Sequence, residues 1–163
     1  MTAKRDFDFA GSVVLGMHDA LVSLMGLIVG LTVAMADCYT IILTSIIASI
    51  TASLSMAASN YLAMRAGHSK YAVASALYTG VAYMVTCVGL ILPFFVFDNR
   101  WVSLVAMFAI AVVQIFGFNY YLGHRRHAPY VYNFLEMLMV CAGVSVAAFL
   151  IGVFAQRCLG IQI

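Results

Sequence analysis

Long apolar stretches, interrupted only by short polar joints, constrain the possible folds of this chain more than any other feature. The joints are Asp37–Tyr39, Gly67–Lys70, Asp98–Arg100 and Gly123–Pro129. They leave five apolar stretches, each matching the ~20 residues that a helix needs to cross a bilayer. A chain with 65% hydrophobic and 9% charged residues is not an ordinary water-soluble domain, in which about a quarter of the residues are charged.

The fold class that follows is all-α: an integral membrane bundle of five transmembrane helices that forms a single domain over residues 1–163. The predicted spans are residues 11–36, 40–66, 71–97, 101–122 and 130–156. Helices are favoured over barrel strands because the stretches are continuously apolar and show no ten-residue alternation. The joints are so short that neighbouring helices must run antiparallel.

The lysine and arginine residues predict how the bundle is oriented. If the N-terminus is cytoplasmic, Arg100 and Arg157 lie outside and the other basic residues lie inside: Lys4, Arg5, Arg65, Lys70, Arg125 and Arg126. Basic residues are enriched on the cytoplasmic side of membrane proteins, so we expect a cytoplasmic N-terminus and an external C-terminus. No basic stripe or nucleotide-binding loop indicates a nucleic-acid partner.

Polar side chains interrupt the apolar spans at similar depths. At ~1.5 Å per helical residue, Asp19 lies ~12 Å into the first span, and Glu136 lies ~9 Å into the fifth. Met56 and Asn60, four residues apart on one helix face, lie ~15 Å and ~9 Å from the inner end of the second. Carboxylates supply charge, a carboxamide supplies a neutral oxygen, and a thioether favours a transition metal over Ca²⁺ or Mg²⁺. The layer therefore predicts a cation site, to which His18 could add a further contact.

Each of these residues also has a structural interpretation. Asp19 could pair with a cation or a backbone group during assembly, and Met56 could simply fill space in the bundle. Asn60 could join two helices by a hydrogen bond. His18 could be a buried histidine without a ligand.

Two further pairs of residues suggest contacts. Gly26 and Gly30 form a GxxxG motif, which allows close helix packing within the chain or across a dimer. Cys38 and Cys158 lie near the predicted outer face, where a disulfide between them is geometrically possible.

Several motifs, spread over nearly all five spans, carry a family resemblance. They are Gly-x-x-Asp-Ala-Leu-Val-Ser at 16–23, Ser-Met-Ala-Ala-x-x-Tyr at 55–61, Ala-Leu-Tyr-Thr-Gly-Val-Ala-Tyr at 76–83, Leu-Pro-Phe at 92–94 and Phe-Leu-Glu-Met at 134–137. Together these stretches resemble the vacuolar iron transporter family.

The resemblance implies a five-helix homodimer that exports Fe²⁺ or Mn²⁺ from the cytosol in exchange for protons, along a path at the two-fold interface. The metal is the cargo, and no enzymatic activity or bound cofactor is expected. In that family the aspartate of the first motif and the methionine of the second line the path, which corresponds to Asp19 and Met56. We place the expected dimer contact on the helix of Gly26 and Gly30.

The chain departs from the family pattern in three places. Family members commonly have Gly-Glu before the tyrosine of the second motif, where this chain has Ser59-Asn60, and Glu136 could replace the missing charge. His18 stands where an asparagine is usual and could add a nitrogen ligand. Eukaryotic members carry a metal-binding extension between the second and third helices, where this chain has only Gly67–Lys70. These features suggest a minimal member in a prokaryotic inner or plasma membrane.

Two other functions remain open at this point. The chain could be a non-transporting assembly or scaffold subunit, because the usual glutamate is missing. A membrane redox protein is the second alternative, although a haem would need paired axial ligands across helices. Neither the choice between Fe²⁺ and Mn²⁺ nor proton coupling follows from the residues.

Overall fold

The computed structural model describes residues 9–34, 37–126 and 130–159, which are helical apart from short joints and contain no strand. The five helices are α1 (Ala10–Ala34), α2 (Cys38–Ala66), α3 (Ala72–Val96), α4 (Arg100–Arg126) and α5 (Tyr130–Leu159). Each contains a segment that is long and apolar enough to cross a membrane. The predicted all-α fold of five spanning helices is confirmed, and α4 and α5 continue beyond the predicted ends at residues 122 and 156.

Local residues explain where α2 begins and ends. The Asp37 carboxylate accepts hydrogen bonds from the backbone N–H groups of Tyr39 and Thr40 at 3.2 and 3.1 Å. These bonds satisfy donors that have no partner in the first turn of a helix. The Thr40 hydroxyl also donates to the carboxylate, at 2.8 Å, and this bond, together with the backbone bonds, holds the pKa of Asp37 below its usual value. At the other end, the N–H of Gly67 donates to the carbonyl of Ala63 at 3.2 Å.

The helix α1 is the centre of the bundle. It packs against each of the other four helices, and Ala20, Leu21 and Ile28 are completely buried. The outer helices expose apolar side chains such as Leu43 and Val85, as expected for surfaces that face lipid.

Interhelical contacts define the direction of each helix. From α1 to α3, Ser12 meets Ser75 and Ser23 meets Tyr83, so these helices are parallel. The helices α2 and α3 are antiparallel, because Ser53 contacts Gly80 whereas Asn60, further along α2, contacts the earlier Ser75. Which end of the bundle is cytoplasmic stays a prediction, and Lys4 and Arg5, used for it, lie outside the described residues.

The helices α1 and α3 approach each other closely at Gly16 of α1. A Cβ atom at this position would overlap the backbone carbonyl of Thr79 in α3. Only glycine permits this approach, because backbone atoms cannot move aside as a flexible side chain can.

The GxxxG motif of α1 packs within the chain. A Cβ on Gly26 would lie 3.2 Å from Val144, and one on Gly30 would lie 3.7 Å from the carbonyl of Ala148, both in α5. A Cβ on Gly152 of α5 would in turn lie 3.0 Å from the carbonyl of Gly30. The helix α5 of the same chain therefore packs beside Gly26 and Gly30, and a dimer contact through these two residues stays a prediction.

Candidate functional site

A cavity of about 490 Å³ lies beside the first half of α1. Its walls come from α1 and α5, and its lining residues are Gly11, Val14, Leu15, His18, Asp19, Val22 and Val140. We call the α1 residues of this list the open face of α1. Asp19 and His18 are both partly exposed, and they give an otherwise apolar cavity a carboxylate and an imidazole.

The Asp19 carboxylate is available for a ligand. His18 is close enough to interact with it electrostatically. Among the side chains that the structure describes, none donates a hydrogen bond to it and no basic residue forms an ion pair with it. The assembly role considered for Asp19, pairing with a cation of the same chain, has no partner among these residues.

Glu136 lies at a similar height on α5. Gly26 packs against Val144 and Gly30 against Ala148, so α1 and α5 are parallel and keep a constant register over these residues. Carried back seven residues along each helix, this register sets Asp19 level with residue 137. Glu136 is exposed, and it shares a side of α5 with the cavity residue Val140, which follows four residues later.

Glu136 and the neighbouring residue Met137 lie on different sides of α5. Met137 is buried, and its sulfur accepts a hydrogen bond from the Asn119 amide of α4 at 3.3 Å. Glu136 is exposed and is not among the residues that line the cavity.

Met56 reaches the same level of the bundle from α2. It lies between Ser53 and Asn60, which bond to Gly80 and Thr79 of α3. Its side chain is partly buried and packs against the apolar core. Asp19, Glu136 and Met56 therefore lie at similar heights in the bundle, but Met56 is not among the residues that line the cavity.

Asn60 is buried in a hydrogen-bonded cluster that we call the polar clamp: Ser12 of α1, Asn60 of α2, and Ser75 and Thr79 of α3. The Asn60 amide nitrogen donates to the hydroxyls of Ser75, at 3.0 Å, and Thr79. The Thr79 hydroxyl lies 3.1 Å from the Ser12 carbonyl, and the hydroxyls of Ser12 and Ser75 are 2.8 Å apart. Of the two interpretations of Asn60, these bonds favour the contact between helices.

The described residues of one protomer do not complete a metal site with strong ligands. In the part of the chain that the structure describes, no three His, Cys, Asp or Glu side chains are placed to hold an ion together. The cavity itself offers one carboxylate and one imidazole. A divalent cation bound there needs additional ligands from elsewhere.

The possible disulfide is not formed. Cys38 and Cys158 are both free thiols, and the Cys38 thiol instead donates to the carbonyl of Asp98 at 3.4 Å.

Sequence reasoning missed the link between the Asp19 turn and α3. The Ser23 hydroxyl donates to the carbonyl of Asp19 at 2.6 Å and lies 2.8 Å from the Tyr83 hydroxyl. It also missed the polar clamp. The available signal was the four-residue spacing of Asp19 and Ser23 in the first motif, and of Ser75, directly before the motif at 76–83, and Thr79 within it.

The fold and the cavity define a multi-pass membrane protein with an ionisable site inside its spans. Compared with models of known protein families and with curated proteins, the chain gives no match. The likeness to vacuolar iron transporters therefore rests on the motifs quoted above.

Proposed function

We propose that this chain is one subunit of a homodimeric membrane transporter that moves Fe²⁺ or Mn²⁺ out of the cytosol in exchange for protons. The observation that carries the proposal is the open face of α1, where Asp19 and His18 line a cavity among apolar side chains. Placing an aspartate at the centre of a spanning helix costs about 2.5–3.5 kcal/mol on insertion scales, and such residues mark ion pathways.

The homodimer supplies the ligands that a single protomer lacks. A two-fold axis beside the open face would bring two Asp19 carboxylates and two His18 imidazoles together. The paired carboxylates would balance the charge of a divalent cation. A second copy would also shield both Asp19 side chains and the exposed Leu15 from lipid.

The choice of cargo follows from the donor atoms. Imidazole nitrogen favours transition metals over Ca²⁺ and Mg²⁺, which prefer oxygen ligands. In this proposal Met56 adds a sulfur donor and Glu136 adds negative charge near the cavity, so both belong to the translocation path. Asn60 contributes through the position of α2.

Uptake into proteoliposomes across a metal series tests the transport activity. We expect Fe²⁺ or Mn²⁺ to be transported, with lower rates for Mg²⁺ and Ca²⁺, and with proton movement in the opposite direction. A folded protein that transports none of these ions would contradict the proposal and favour the scaffold alternative. A haem absorption band in the purified protein would favour the redox alternative.

Cysteine cross-linking tests the dimer face. In a protein with Cys38 and Cys158 replaced by serine, Leu15→Cys should form a disulfide between two copies, because Leu15 lies on the open face. Val85→Cys is the matched control, since Val85 is also exposed but lies on α3. Cross-linking of Val85→Cys and not of Leu15→Cys would place the dimer contact elsewhere.

A further inference from the structure

The Ser23 hydroxyl connects the turn that carries Asp19 to the neighbouring helix α3. Its single proton is donated to the Asp19 carbonyl at 2.6 Å. The Ser23 oxygen can then only accept from the Tyr83 hydroxyl, 2.8 Å away. Tyr83 is therefore the donor, and the bonds run from Tyr83 to Ser23 to the backbone of Asp19.

Tyr83 is well suited to hold a fixed position. Its side chain is only 2% exposed, although its hydroxyl reaches the exposed Ser23. A buried tyrosine hydroxyl needs a hydrogen-bond partner, and Ser23 supplies it. The aromatic ring packs in the apolar core, so the hydroxyl can move little relative to α3.

Asp19 lies between two attachments of α1 to α3. Three residues before it, Gly16 lies directly against the backbone of Thr79. Four residues after it, Ser23 is held by Tyr83. The backbone of Asp19 is thus fixed relative to α3 on both sides, while its carboxylate remains free on the open face.

We propose that Tyr83 is a positioning residue that holds the Asp19 carboxylate, through Ser23, in the geometry that binds the cation. This inference rests on the proposed function, because it takes Asp19 as a ligand of the transported ion. Tyr83 itself touches no cation; it acts by restricting the turn that follows Asp19. The hydrogen bond between the hydroxyls of the buried Tyr83 and the exposed Ser23 thereby has a functional role.

Mn²⁺ uptake by reconstituted full-length protein tests the role of Tyr83. Tyr83→Phe keeps the ring and removes only the donor. The Mn²⁺ concentration for half-maximal uptake should therefore rise about three- to tenfold, which is the change in affinity that the net free energy of one hydrogen bond produces. The maximal rate should change less, and the electron paramagnetic resonance spectrum of bound Mn²⁺ should broaden. Tyr78→Phe is the matched control on the same helix, since its ring contact with Phe9 is retained.

Ser23 provides the second arm of the experiment. Ser23→Ala should raise the half-maximal concentration to the same extent, and Ser23→Thr, which keeps the hydroxyl, should restore wild-type behaviour. The double variant Tyr83→Phe with Ser23→Ala should be no worse than either single variant, because both break the same link. If Tyr83→Phe does not fold, the two Ser23 variants still decide the question.

The outcomes separate this inference from the proposed function. Unchanged Mn²⁺ uptake by Tyr83→Phe or by Ser23→Ala, or additive effects in the double variant, would overturn the role of Tyr83 and leave the transporter proposal standing. Wild-type uptake by Asp19→Asn would remove Asp19 as a ligand, and with it the role of Tyr83, whereas a folded unaltered protein without any metal uptake would overturn the proposed function.

Discussion

The two sides of α1 differ in whether their polar side chains have hydrogen-bond partners. Towards α3, the side of Ser12 and Gly16 is closed, because the polar clamp satisfies its hydroxyls and the missing side chain of Gly16 brings the two backbones together. On the open face, Asp19 and His18 are partly exposed, and nothing in the described residues pairs with the carboxylate. The hydroxyls of the polar clamp have hydrogen-bond partners, and for the Asp19 carboxylate, to which no described side chain donates, a ligand or a second subunit is the explanation we propose.

Substitution of Gly16 should have the largest effect on stability. Gly16→Ala places a methyl group on the Thr79 carbonyl, so we expect a loss of about 1–3 kcal/mol, as for other overpacked sites. Gly11→Ala is the control, since a Cβ there meets nothing within 4 Å, and alanine is the better helix former by up to about 1 kcal/mol. Equilibrium unfolding in mixed micelles measures both. Equal stability of the two variants would contradict the difference between the two sides of α1.

Loss of the polar clamp should have an effect of similar size. Asn60→Ala removes the donor that joins α2 to the α3 hydroxyls, and we expect destabilisation by about 1–3 kcal/mol because buried partners lose a bond. The half-maximal Mn²⁺ concentration should change little once the variant is compared at conditions where it is folded. A selective loss of Mn²⁺ affinity at unchanged stability would return Asn60 to the ligand set.

The smallest effect concerns the cap of α2 and depends on pH. The Asp37 pKa is lowered by hydrogen bonds to Thr40 and Tyr39, so its stabilising contribution is complete above the usual aspartate pKa of about 3.9. It is lost as the pH falls through the lower pKa of the folded protein. Hydrogen exchange in the first turn of α2 should therefore accelerate at acid pH relative to Asp37→Asn, which caps without titrating. Identical pH profiles would exclude the carboxylate as the source of the cap.

The number of helices and the limits of α2 could be predicted because they depend on local composition. The span predicted at 40–66 corresponds to Cys38–Ala66, since Asp37 and Gly67 are start and stop signals visible in the sequence. The heights of Asp19, Met56 and Glu136 also follow, because the helical rise is constant.

The direction that each polar residue faces could not be predicted in the same way. Lipid-facing and buried surfaces are both apolar in this chain, so periodicity does not distinguish them. Asn60 and Asp19 occupy similar depths, yet Asn60 is buried among α3 hydroxyls and Asp19 lines a cavity. Likewise, the GxxxG motif of Gly26 and Gly30 predicts close packing but does not specify whether the partner is α5 or a second copy.

In the proposed transporter, the open face of α1 binds the transported ion through the Asp19 carboxylate. The most direct measurement is Mn²⁺ uptake into proteoliposomes by Asp19→Asn, which keeps the size of the side chain but removes its charge. Asp98→Asn, at an exposed carboxylate in the joint between α3 and α4, is the matched control. We predict that Asp19→Asn folds and shows no uptake above protein-free vesicles, while Asp98→Asn transports like the unaltered protein. Wild-type uptake by Asp19→Asn would contradict the claim and reduce the cavity to a feature of helix packing.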